Sequence, residues 1–558
     1  MDTFYIDDLK LKYDYKKIIA EQDIEPLYSG YTLEETSFET SDGKKLITYI
    51  ARPIGCTEPL PVILRRTPYG IKSLRFFFEM SLYGYICISQ NCRGSFGSEG
   101  EFIPGINEKQ DTLETIKWIK TLNGFNGKMA MCGASYLSME QWQIGDCAPP
   151  ELKTLYLEFY NPYRYIQLYT KGMFRLEAYA GWTSYNAGVK GSKDLYDRAV
   201  KHIPQYTMDE DVLGTHLDWY RDWVSHPYPD APIWHDMPWS HLETMPQKLD
   251  LPVFMHCGWY DPHLEGMLKA YKNIRPEIRE KSVLFITPCN HKGTLSSDVD
   301  LKNAFDLTGK RFVKSKLAWF GYMLKDEPLA DHFLPGKATV YVIGDEKYIN
   351  TDWAHIKTGE RSFFLNTDDL SLDTAENKAS CSLSFTYDPK HPVPTHGSEV
   401  IMTDYMYNGN DRYHGIRLQE KNTREDVLSF TSLPLEEDIT ITGSSLKLKV
   451  STTAEDTSFT AKLCIVKANK TYHLRESITA LSFEHKNYKA GDIVEINIDF
   501  YPIAVNLGAG DSIRIDISSS SFPAYPAHPN TKGLWSKETE PVCAKQTIYG
   551  GKLTFKTL

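Results

Sequence analysis

The sequence predicts a mostly parallel α/β sheet interrupted by a helical insertion and followed by a separate all-β domain. Three features predict it. Short β-rich apolar runs alternate with a helix-spaced segment up to about residue 145. Aromatic residues crowd a strand-poor stretch from about 146 to 245. Beyond about 340, β-type runs separated by Gly, Asn, Asp and Pro turns fill the chain with almost no helix signal. At 558 residues the chain is also too long for a single core.

Taken in order, Leu60–Arg65 and Tyr85–Ser89 read as strands, Asp111–Lys120 as a helix, and Met129–Cys132 as the next strand. Pro252–Cys257 and Val283–Thr287 resume the parallel pattern, with helices expected at about 264–274 and 310–325. Strands are then expected at Thr339–Val342, Ser445–Val450, Phe459–Val466, Ile493–Ile498 and Ser512–Ile517. This assigns 1–145 and 246–340 to the sheet domain, 146–245 to a helical cap, and 341–558 to a β-sandwich of jelly-roll type.

The charge balance, 62 Lys+Arg against 73 Asp+Glu, leaves −11, the wrong sign for nonspecific nucleic-acid binding. The N-terminus has no basic-then-apolar leader pattern, and no apolar stretch approaches membrane-spanning length. Ten cysteines without paired spacings suit a reducing compartment, so the cytoplasm is the default. On the same ground Asn469-Lys470-Thr471 is read as a chance glycosylation sequon.

The chemistry centres on Cys132-Gly133-Ala134-Ser135-Tyr136-Leu137-Ser138. An apolar strand ending in Gly-Ala-Ser before a helix-forming run has the form of a nucleophile elbow, although Leu137 stands where G-x-S-x-G has glycine. A serine hydroxyl needs a base, and the base needs an orienting carboxylate. Both follow in the order serine, acid, histidine: Asp261 after the 252–257 strand and His291 after the 283–287 strand. Beyond the carboxyl ends of parallel strands is where such groups gather. His256, inside an apolar run, reads as a core residue, and His263 as too near Asp261 in sequence to sit across from it. The glycines of Gly94–Gly100 match no nucleotide-binding loop and instead shape a loop beside the site. His256, Cys257, Cys289 and His291 lack zinc spacing, so neither a metal nor a cofactor is expected.

Several stretches resemble one family: Arg66-Thr-Pro-Tyr69-Gly70, Asn91-Cys-Arg93-Gly94 through Phe102, Gly133-Ala-Ser135-Tyr136, His226-Pro227 through Trp234, Gly258-Trp-Tyr-Asp261 and His291. Late in the chain, Asp456–Leu463, Ser518–Tyr525 and Pro529-Asn-Thr531 continue the likeness. The family is that of the CocE/NonD-type serine hydrolases, which includes X-Pro dipeptidyl-peptidases, cocaine esterase and α-amino-acid ester hydrolases. The resemblance implies an α/β-hydrolase fold with a cap and a jelly roll. It implies Ser135 as nucleophile, His291 as base and Asp261 as orienting acid. The Tyr69 hydroxyl and the Tyr136 backbone N–H would form the oxyanion hole. The family pattern G-x-S-Y-x-G also accommodates Leu137.

The chain departs from that pattern in three places. Ser138 replaces the last glycine of the elbow, a change expected to be tolerated because serine is small. Asn91 replaces an aspartate, so Arg93 is expected to lack one salt bridge. Cys289 stands where the family's loop before the histidine has tryptophan.

Only Glu265 is acidic directly after Asp261, which disfavours amino-acyl substrates. The cap aromatics, with Trp182, Trp219, Trp223 and Trp259 assigned to the pocket, favour a large, flat or apolar acyl or leaving group. The expected activity is hydrolysis of a small-molecule ester, amide or short peptide. Alternatives are acyl transfer through the same acyl-enzyme, an X-Pro-type dipeptidyl-peptidase, and an inactive scaffold or carbohydrate-binding protein built on the jelly roll. A homo-oligomer is compatible with the composition.

Overall fold

The computed structural model describes residues 2–5, 24–71, 75–186, 192–295, 297–307, 312–376, 381–397, 399–406, 415–419 and 422–558. Eleven strands form the first sheet: β1 (Asp2–Tyr5), β2 (Gly30–Glu39), β3 (Lys45–Pro53), β4 (Leu60–Thr67), β5 (Ile86–Asn91), β6 (Phe125–Ala134), β7 (Leu152–Glu158), β8 (Val253–Tyr260), β9 (Val283–Asn290), β10 (Ala338–Val342) and β11 (Lys347–Thr351). Their spatial order is β1-β2-β3-β5-β4-β6-β7-β8-β9-β10-β11, and every pairing from β5 to β10 is parallel. Burial follows from this. β5, β8 and β9 are buried at every position, as strands covered on both faces must be, whereas antiparallel β2 alternates half-buried and exposed toward its end.

The expected strands up to residue 290 coincide with observed ones, apart from Tyr85 and Pro252, which each lie one residue before the strand begins, and the expected helices correspond to α1 (Glu108–Ile119), α6 (Leu264–Asn273) and α7 (Val313–Lys325). Two elements differ. The segment 146–245 was assigned wholly to a cap, yet Leu152–Glu158 is a central strand between β6 and β8. Polar Lys153 and Thr154 interrupt its apolar run, and the aromatics that follow mask its end. Thr339–Val342 was expected to open the β-rich part. It closes the parallel block instead, because it pairs with β9.

Between β7 and β8 the chain is helical, including α3 (Arg164–Leu168), α4 (Leu176–Asn186) and α5 (Asp218–Ser225). These elements share a core of their own containing Tyr179, Tyr196, Tyr220, Trp223 and Trp234. From the strand Gly359–Asn366, which pairs antiparallel with the final strand Ala544–Thr557, the chain is a second, all-β unit. Its strands Ile439–Thr452, Ser458–Lys467, Val494–Asp499 and Ser512–Ser518 contain the remaining expected runs, apart from Ile493 at an edge.

The all-β unit braces the end of β8. Arg475, fully buried, reaches Glu399 Oε1 at 2.5 Å and the Pro502 carbonyl at 2.6 Å, and its guanidinium lies 4.9 Å from the Tyr260 ring centre. The Tyr501 hydroxyl donates to the Pro262 carbonyl at 3.2 Å. The loop carrying Asp261 is therefore clamped from outside its own sheet. From the cap, the buried Glu177 carboxylate accepts backbone N–H bonds from Ile401 at 3.0 Å and Thr403 at 2.6 Å. Lys171 pairs with Glu484 and Asp499.

Removing one partner of a buried ion pair strands the other as an unpaired charge. Arg475→Met should destabilise the fold by about 3–5 kcal/mol in denaturant titrations, and Arg475→Met/Glu399→Gln should recover part of the loss.

Candidate active site

Ser135 joins β6 to the helix α2 (Tyr136–Trp142) at φ 59°, ψ −126°, a strained conformation for a residue with a Cβ. Gly133, at φ +146°, makes the turn possible: a Cβ there would lie 2.5 Å from Leu137 Cβ. Ser135 N–H donates to the Glu158 carbonyl at 2.9 Å, so the elbow is tied to the end of β7. Ser138 is fully buried and does more than fit, since its hydroxyl accepts the Glu158 N–H at 2.8 Å. The serine that replaces the family's glycine thus stitches the elbow to the neighbouring strand.

Asp261 and His291 follow β8 and β9, as expected from their positions. His291 Nδ1 lies 3.0 Å from Asp261 Oδ1, and both residues are buried. That bond places the proton on Nδ1 and leaves Nε2 as the basic nitrogen. Burial works to raise the Asp261 pKa, but the charge and hydrogen bond of His291 outweigh it, and the carboxyl is held below its ordinary range.

Tyr69 follows β4 and is half-buried. Its oxygen accepts a hydrogen bond from Trp182 Nε1–H at 3.1 Å, which leaves its own O–H free to donate, and Ser135 is within hydrogen-bonding reach. Burial pushes the phenol well above its ordinary pKa, partly countered by Trp182, so the proton stays on. Tyr136 is the first residue of α2, where backbone N–H groups have no intrahelical acceptor. Its side chain stacks on Trp182 and donates to buried Glu108. The glycine loop does shape this wall. A Cβ on Gly94 would lie 2.3 Å from the Phe102 backbone nitrogen, and Phe102 packs on Tyr136 and Trp182.

Other expectations change. For Arg93 the bridge to position 91 is absent as expected, Asn91 Nδ2 donating instead to the Phe96 carbonyl, but Arg93 pairs with two other acids, Asp111 at 2.7 Å and Asp42 at 2.6 Å. Cys289 packs with Phe159 and Phe312 in a small apolar cluster. Of the four tryptophans assigned to the pocket, Trp182 lines it. Trp219 and Trp223 pack behind Trp182. Trp259 is fully buried against Trp353, its Nε1–H donating to the Tyr341 carbonyl, because strand alternation turns it into the core.

His256 is fully buried and hydrogen-bonds with Thr287. His263, in contrast, lines the pocket, its ring centre 5.3 Å from that of His291. The turn folds it back so that its N–H donates to Asp261 Oδ1 at 3.0 Å. Proximity in sequence had argued against this, whereas in the turn it is the cause. Burial, with help from His291 and the neighbouring Arg175 and Arg164, lowers its pKa to about 3.

Asp261, His263 and His291 each bring a ligand atom within 4.8 Å of the others, near enough to share a cation. A cation there would compete with the Asp261–His291 hydrogen bond that orients the imidazole.

The pocket lined by Ser135, Tyr69 and His291 is narrow, about 40 Å³, and its far wall is Arg164, Gln167 and Tyr179. A second, wider cavity of about 750 Å³ shares His291 and runs past Leu137, Phe312 and Lys316. Of the large, flat or apolar acyl or leaving group expected, the cap side has little room for either, because its aromatics pack on one another, whereas the wider cavity has room for one. Among the described residues, no helix is long and apolar enough to cross a membrane.

The fold and an elbow serine beside a paired histidine define the class: this is a serine hydrolase built on a mostly parallel α/β sheet. The family model described as X-Pro dipeptidyl-peptidase (S15 family) matches residues 42–293, and that of the X-Pro dipeptidyl-peptidase C-terminal non-catalytic domain matches 337–554. The chain belongs to this family of S15-type, CocE/NonD hydrolases. It is 26% identical over 550 residues to a cocaine esterase from Rhodococcus sp. (strain MB1 Bresler), covering 90% of this chain and 93% of that one. Its fold is similar to that of an aminopeptidase from a marine sediment archaeon, Thaumarchaeota archaeon, at TM-score 0.79 and 21% identity, covering 95% and 96% of the two chains. It is equally similar to that of an α-amino acid ester hydrolase, at TM-score 0.79 and 19% identity, covering 95% and 97%.

The folded state resists protonation of His263 down to about pH 3, while the unfolded chain takes up that proton near pH 6.5. Stability therefore falls as pH drops through this window. Between pH 6.5 and 4.5, His263→Phe should lose about 2 kcal/mol less than wild type in paired denaturant titrations.

Proposed function

We propose that the protein hydrolyses an ester or amide through an acyl-enzyme on Ser135. The observation that carries this is the strained Ser135 at the mouth of a pocket shared with His291, whose Nδ1 is held 3.0 Å from Asp261. In this reading Ser135 Oγ attacks the acyl carbon while His291 Nε2 takes its proton, and Asp261 stabilises the imidazolium. The oxyanion is met by the free O–H of Tyr69 and the backbone N–H of Tyr136, at the positive end of α2. His291 then returns the proton to the leaving oxygen or nitrogen. The wide cavity on the far side of His291 gives the leaving group room to depart. Water, activated by the same imidazole, attacks the acyl-enzyme and restores Ser135.

The donor from Trp182 supports the role given to Tyr69. By occupying a lone pair of the phenol oxygen, it fixes the hydroxyl and makes the O–H a better donor without removing its proton.

Ser135→Ala should abolish covalent labelling by a fluorophosphonate probe, and labelling that persists would exclude Ser135 as nucleophile. Tyr69→Phe should lower kcat by about 10²–10³ with little change in KM, as for loss of one oxyanion donor. An unchanged kcat would mean that the oxyanion is held by other groups.

A further inference from the structure

Among the described residues, one charged side chain lines the acyl pocket: Arg164, at 7% exposure and without a carboxylate partner. Its Nη1 donates to Gln167 Oε1 at 2.8 Å, its Nε has no hydrogen-bond partner, and among the described residues no carboxylate oxygen lies within 4.0 Å of the guanidinium. The faces of the guanidinium are covered by Trp223 at 4.0 Å and Trp239 at 4.5 Å from the ring centres. Aromatic faces soften the desolvation of a cation but supply no acceptor in its plane. Buried arginines are ordinarily matched with carboxylates because an unpaired buried charge is expensive. This chain provides such matches for Arg66 with Glu140 and for Arg475 with Glu399, whereas Arg175, also buried, rests like Arg164 on aromatic rings, those of Tyr501 and Tyr525, but lies outside the pocket lining. At Arg164 no carboxylate stands beside the guanidinium among the described residues, and the Tyr160 hydroxyl, also in the pocket wall, is its neighbouring polar group.

The rest of the lining agrees. Among the described residues no Asp or Glu borders the pocket, and neighbouring His263 is kept uncharged by burial, so no fixed negative charge in the wall would repel an anion. The narrow volume admits a short chain only.

We propose that Arg164 is the specificity-determining residue of the acyl pocket and that the preferred acyl group is short and ends in a carboxylate. The substrates would be monoesters or monoamides of small dicarboxylic acids. The proposal rests on acyl-enzyme formation at Ser135. The substrate's free carboxylate takes the in-plane donors of Arg164 while its other carbonyl lies at Ser135, and the leaving group occupies the wide cavity beyond His291.

The test compares three benzyl esters on the full-length protein, with benzyl alcohol release measured for each: monobenzyl succinate, benzyl methyl succinate and benzyl butyrate. Wild type should favour monobenzyl succinate in kcat/KM by about 10- to 100-fold over either neutral ester, the range of a charge-assisted hydrogen-bonded pair. Arg164→Met should bring that ratio to near one, and Arg164→Lys should retain part of it. Should Arg164→Met fail to fold, free succinate should still inhibit wild type competitively and far more strongly than its neutral isostere succinamide. Equal or better turnover of the neutral esters by wild type, or an unchanged ratio in Arg164→Met, would overturn the proposal. If those neutral esters are hydrolysed by wild type but not by Ser135→Ala, the serine mechanism stands and only the carboxylate preference falls. If Ser135→Ala hydrolyses the esters like wild type, both fall.

Discussion

The backbone at Ser135 is the constraint on which the site depends. A residue with a side chain is held at positive φ between a parallel strand and a helix, which is unfavourable for the isolated segment. It persists because the surroundings leave no alternative. Gly133 lets Leu137 pack against the strand, and β7 receives Ser135 N–H while its own N–H is taken by Ser138. The elbow thus draws on β6, β7 and α2 together, and the hydroxyl is presented beyond the carboxyl ends of the parallel strands.

The remaining groups come from separate parts of the chain. Tyr69 follows β4, Asp261 follows β8 and His291 follows β9, while Trp182 on the cap helix α4 donates to Tyr69. The all-β unit reaches in from the opposite side, through Arg475 on Tyr260, Tyr501 on Pro262 and Ile401 in the pocket wall. The pocket is a junction of three packed bodies. This explains why it is narrow and why its polarity differs from what the aromatic content of the cap suggests.

Strand and helix positions in the parallel block were legible because buried strands leave unbroken apolar runs and the helices keep their own spacing. The exception, Leu152–Glu158, is buried on both faces like its neighbours but carries Lys153 and Thr154 near its start, so the run is short. Asp261 and His291 could be expected to meet because loops after successive parallel strands open on one edge. Histidine roles were harder. His256 read correctly as core, whereas His263 depends on a tight turn that folds it back onto Asp261. The pocket tryptophans were least legible: composition says that aromatics are present, but only packing says whether a ring faces a cavity, another ring or the core.

The sequence alone determined the order of chemistry along the chain: an elbow serine, then an acid, then a histidine, on a parallel sheet followed by a β-rich unit. These are local properties, set by strand periodicity, turn residues and side-chain type. Only the tertiary structure decided that Trp182 hydrogen-bonds Tyr69, that Ser138 ties the elbow to β7, and that Arg164 stands in the pocket without an acid beside it. Each of these joins residues far apart in the chain, and their partners are chosen by how the sheet, cap and β unit pack, which no local pattern records.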